Sequence, residues 1–188
     1  MYRKGFVFLM TLVFAFGCAT GALGEAANME ALFVPQQFVE LYNEGLSTYA
    51  SMMYPDDATH ANQIASQLML YYDETDDGIV YYDNQARTVE LSGYYEDAEP
   101  YADRPASTLT FSIDENHESE LITLADLSMC MTLCVLGGTA DDETFMEYGS
   151  FVDQGWTQGS QVLKKDGFVL AAMYYSPRYM LAIFHNEG

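Results

Sequence analysis

Positive charge is scarce in this chain: seven Lys and Arg stand against 28 Asp and Glu over 188 residues, a formal net charge of -21. A run of phosphates needs clustered cations to neutralise it, which excludes nucleic acid as a partner. The same imbalance argues against an anionic membrane surface. Cysteine is rarer still, with three in all, too few for a disulfide scaffold. Cys130 and Cys134 lie one helical turn apart, where the β-carbon vectors run side by side and a disulfide is geometrically poor. No second Cys or His pair completes a zinc site with them, so they read as small buried hydrophobes. Also missing are Gly-x-Ser-x-Gly, a Gly-rich phosphate loop and His-Glu-x-x-His. Nucleophile-elbow, phosphate-loop and zinc-peptidase chemistries therefore have no motif to stand on. His60 and His117 fall in expected loops, and His185 in an expected final strand.

What is present is apolar and aromatic: 49% of residues are hydrophobic and 14% aromatic, with 15 Tyr. That share fits a folded domain rather than a disordered acidic tail. Arg3 and Lys4 precede an uncharged apolar run from Gly5 to Gly17, and small residues follow through Gly24. Positive, greasy, then small is the order of a secretory signal peptide, predicted over residues 1–24. The run falls short of the roughly 20 residues that a spanning helix needs, so no transmembrane span is expected in the mature chain. Ala22 and Gly24 suit cleavage before Glu25, giving a secreted protein; the alternative is a cell-envelope lipoprotein anchored through Cys18. Residues 25–34 read as a short leader. Residues 35–188 read as one domain, divisible into two helix-plus-meander halves, 35–113 and 121–188.

Pro35 opens a helix, at a position where its missing N–H costs nothing. Phe38, Leu41, Tyr42, Leu46, Tyr49 and Met53 form one apolar stripe, and Pro55-Asp56-Asp57 ends it. Strands are expected at 67–72, 79–82, 88–95 and 108–113. Thr123 and Asp126 resemble a capping box opening a second helix, stopped by Gly137-Gly138. A third helix spans Asp141 to Asp153, with Gly155 as its stop. Strands return at 160–164, 168–175 and 179–185, the last two paired antiparallel across Ser176-Pro177. Their nearly continuous apolar runs suit strands covered on both faces, or on one face plus an interface. The fold class is α+β: antiparallel sheet with about three helices packed on one face.

Two sets of residues stand out. Asp73, Thr75 and Asp77 occupy positions 1, 3 and 5 of a partial calcium loop, with Gly78 at position 6. Asn84 stands at position 12, where the bidentate Glu belongs, so an acidic hairpin turn is the plainer reading. No cofactor and no metal site are therefore expected, calcium being the single ion that this partial match leaves open. The second set is tyrosine: adjacent pairs in strands put one ring inward and one outward, and Tyr72, Tyr81, Tyr94 and Tyr95 form a candidate partner face. No catalytic residue is assigned. The function expected is a non-enzymatic module that binds an extracellular protein or carbohydrate. One alternative is a carboxylate-dependent glycoside hydrolase, which needs two acids in a cleft with one pKa raised. Another is an acidic inhibitor or mimic, steered toward a basic partner.

Overall fold

In a computed structural model, residues 34–75, 78–83, 88–94, 106, 108–116, 118–139, 141–165 and 168–185 are described. The expected signal peptide, the leader up to Phe33, and Asp77, Tyr95 and His117 lie outside the described residues. Helix α1 spans Pro35–Met53 with Pro in its first turn. Its predicted stripe is real: Phe38, Tyr42 and Leu46 are fully buried. A short helix, α2 (Ala58–Ser66), follows at once. Asp57, read above as part of a stop, is its N-cap: the carboxylate accepts the His60 N–H at 3.0 Å. His60 is therefore helical rather than in a loop, and its ring meets Tyr54 edge-on.

Among the described residues seven strands follow in two groups: β1 (Leu70–Thr75), β2 (Gly78–Asp83), β3 (Val89–Tyr94) and β4 (Thr108–Asp114), then β5 (Gln161–Lys165), β6 (Phe168–Tyr175) and β7 (Arg178–His185). They form one sheet in the order β1-β2-β3-β4-β7-β6-β5. All neighbours are antiparallel. The two halves meet where β4 pairs β7, with Phe111 opposite Leu181.

Between the groups lie helices α3 (Ser119–Leu136) and α4 (Asp142–Gln158). The Thr123–Asp126 start is corrected by one turn: α3 begins at Ser119, and the Thr123 hydroxyl donates back to the Ser119 carbonyl within the helix. Gly155 is no stop either. It lies inside α4, where an added β-carbon would come 2.4 Å from the β-carbon of Ala172. The glycine permits close packing of helix on sheet; α4 ends instead at Gly159, with φ 107°.

Alternation sorts the sheet into two faces. Val89 and Leu91, Leu109, Phe111 and Ile113, Leu181 and Ile183, and Phe168, Leu170 and Ala172 are buried on one of them. The helices cover this face. Phe38 and Tyr42 of α1 meet Phe111, with ring centroids 6.4 and 5.3 Å apart, and Tyr148 of α4 meets Phe168 at 6.3 Å. Helix α3 is apolar nearly all round and is long enough by composition to cross a membrane. Here it lies against α1 and α4, and Gly45 of α1 lets the two backbones close up at Ser128.

Candidate functional site

The other face of the sheet takes no helix among the described residues, and its composition is uneven. Register lines its residues up in rungs across β3, β4, β7, β6 and β5. One rung runs Tyr94, Thr108, Phe184, Val169, Lys164. The next runs Ser92, Thr110, Ala182, Ala171, Val162. A third runs Glu90, Ser112, Met180, Met173, and a fourth Asp114, Arg178, Tyr175. Toward β3 the face is polar. Toward β5 it is apolar, and Val162, Tyr175 and Phe184 are 64%, 76% and 39% exposed.

No Asp or Glu occurs in β5, β6 or β7, in a chain that carries 28. Among the described residues the cations on this face are Lys164 and Arg178. Arg178 is already engaged: its Nη1 lies 2.9 Å from Glu90 Oε2, its Nη2 donates to Glu90 Oε1 at 3.1 Å, and Nη1 donates to Ser112 Oγ at 2.8 Å. This fork ties β7 to β3 across β4 and fixes the polar border of the apolar area.

A second cluster lies on the helix side, at the β6–β7 turn. Trp156 stacks on Tyr179 with centroids 5.1 Å apart, and Tyr179 meets Tyr174 at 5.3 Å. The Trp156 indole N–H donates to the Met180 carbonyl at 3.1 Å. The Tyr174 hydroxyl donates to Glu115 Oε2 at 2.5 Å, and that bond to a carboxylate raises the tyrosine pKa. These groups are saturated by one another, as expected of a braced turn.

Comparison of the chain with protein families, with curated proteins and with solved structures returns no match in any of the three.

Of the predicted tyrosine set, Tyr72 and Tyr81 are partners in register on β1 and β2, and Tyr95 lies outside the described residues. Tyr94 stands on the open face and is 60% exposed. Tyr72 shares the alternation of buried Leu70, on the helix side, and Tyr81 pairs in register with Tyr72 and Leu91. Adjacent tyrosines face opposite sides of the sheet as expected, yet both rings of a pair can be exposed. Tyr71 and Tyr72 are equally exposed, and both Tyr174 and Tyr175 are exposed. Asp73 and Thr75 lie in β1, opposite Val80 and Gly78. Among the described residues, no three His, Cys, Asp or Glu gather as a metal site.

Within the helix layer is a carboxyl with altered chemistry. Burial between helices pushes Asp126 up to about 7, and nearby Asp153 adds to the rise. The Cys130 thiol donates to Asp126 Oδ1 at 3.5 Å. The thiol is itself held well above its usual range by burial first, and then by the charges of Asp126 and Cys134. In the sequence Asp126 shows only as the fourth residue of the Thr123-x-x-Asp126 cap pattern. Its apolar neighbours on α3 were the available signal.

Proposed function

We propose that this chain is an exported, non-enzymatic binding module that engages a protein surface through the open face of its sheet. The observation that carries the reading is the apolar, acid-free half of that face on β5, β6 and β7, in a chain of net charge -21. Such a patch on an otherwise charged protein marks a contact surface, and an interface core is depleted of charge in the same way. Export rests on the positive-apolar-small order of residues 1–24. Affinity capture from the native secretome with wild type and Phe184→Glu tests the contact. Partners retained by wild type are expected to be lost with the variant; equal retention by both would refute the reading. Mass determination of the mature N-terminus tests export, with cleavage before Glu25 expected.

A further inference from the structure

Resting on the reading of this chain as a protein-binding module, we infer that the outer edge of β5 takes an extended segment of the partner as an added antiparallel strand. That segment carries apolar side chains on the open face and basic ones on the helix side.

Register fixes which backbone groups face outward. Lys165 pairs with Phe168 with two residues between them, and the pair closing such a hairpin exchanges both of its hydrogen bonds. Bonded pairs then alternate along an antiparallel ladder. Lys165, Leu163 and Gln161 therefore bond toward β6, and the N–H and C=O of Val162 and Lys164 point away from the sheet. The opposite edge bears the rule out. There Thr75 closes on Gly78, which by the same alternation turns the backbone of Leu70 outward. Asn43 of α1 takes up both groups: its side-chain amide donates to the Leu70 carbonyl at 3.0 Å, and its Oδ1 accepts the Leu70 N–H at 3.0 Å. At β1 a helix side chain thus stands in the place of a strand. Among the described residues no such plug sits at Val162 or Lys164 of β5.

Side chains choose the occupant. Val162 is 64% exposed on the open face, and a bare edge with an exposed apolar residue is a template for pairing. Lys164, the next side chain on that face, disfavours a cation directly opposite, so the basic residues of the added strand belong on its other side. There Glu147 of α4 already holds Lys165 of β5 in an ion pair. A net charge of -21 likewise favours a cationic segment over an acidic one. Main-chain hydrogen bonds supply the affinity in this mode of recognition, so a small contact area suffices.

The probe is a blocked octapeptide alternating valine with lysine, titrated into the isotopically labelled full chain after signal removal and followed by amide NMR. Shifts and slowed exchange are expected at Val162 and Lys164, with a Kd of about 0.1–1 mM, and none along β1. Methylating the valine amides, which face β5 in this pairing, is expected to abolish binding. Methylating the lysine amides, which face away, is expected to leave it. Replacing the lysines by glutamates should weaken binding at least about tenfold. Val162→Pro removes an outward N–H without breaking the β5–β6 ladder; it should abolish binding with unchanged circular dichroism, while Val162→Thr keeps it. If Val162→Pro fails to fold, the two methylated peptides decide. No shifts at β5, equal binding by the two methylated peptides, or equal binding by the glutamate peptide would each overturn the inference. If it falls while Phe184→Glu still abolishes capture of a foreign protein, the edge is refuted and the open face stands. If the octapeptide binds as expected but capture survives Phe184→Glu, the face falls and the edge remains.

Discussion

Asp126 is a carboxyl whose ionisation works against the fold. Its pKa is about 7 in the folded chain against an ordinary 3.8. Below about pH 4 both folded and unfolded states hold the proton, and nothing is lost. Between about pH 4 and 7 the unfolded chain releases it while the folded chain keeps it, so stability falls as pH rises, and above 7 the deficit is constant. Asp126→Asn is therefore expected to stabilise the protein at pH 8 by about 1–2 kcal/mol, an advantage that vanishes near pH 4; thermal melts at both values check it. The adjacent thiols give a second expectation. Cys130 and Cys134 are both buried, so a thiol reagent should leave them unmodified in the native protein and titrate them after denaturation. The burial of both cysteines was legible from their apolar surroundings. The perturbed aspartate was not, because Thr123-x-x-Asp126 also reads as a capping box, and only the true start of α3 moves Asp126 into the helix interior.

Elements were legible where local and tertiary signals agree. Helix α1 has an apolar stripe bracketed by Pro35 and Pro55, and packing buries that same stripe. The β6–β7 hairpin was visible from two apolar runs around Ser176-Pro177. Helix α2 was missed because Ala58–Ser66 is built of small and polar residues, with only Ala61, Ile64 and Ala65 buried; its start signal, Asp57, followed a proline and looked like a stop. Gly155 misled for a different reason. Glycine ends helices often, but here it answers a close approach that no local pattern announces. The two glycines of α4 make a paired test. Gly155→Ala meets the β-carbon and backbone of Ala172 and should cost about 2 kcal/mol or more as the helix is forced off the sheet. Gly149→Ala meets nothing within 4 Å and should gain about 0.5–1 kcal/mol from helix propensity. Urea unfolding of both variants measures the difference.

For the whole molecule, the apolar runs of β6 and β7 left two possibilities: cover on both faces, or cover on one face with an interface on the other. Helices occupy one side only among the described residues, which leaves the second possibility as the proposal above. The sequence could not have chosen between them, because strand alternation is invisible when both sets of positions are apolar. The acidity of the rest of the chain then acquires a role at this scale: it confines close contact to the one region from which acids are missing.

The placement of β7 has a consequence for assembly order. Last of the seven strands along the chain, it sits between β4 and β6 in the sheet. Until it arrives, the molecule is two unjoined ribbons, each with a bare margin of backbone donors and acceptors ready to seize a stranger. A chain cut after Ser176 should therefore clump rather than fold into a smaller version of itself. Adding a synthetic peptide of residues 178–185 during refolding should restore solubility, as a keystone dropped into a waiting arch.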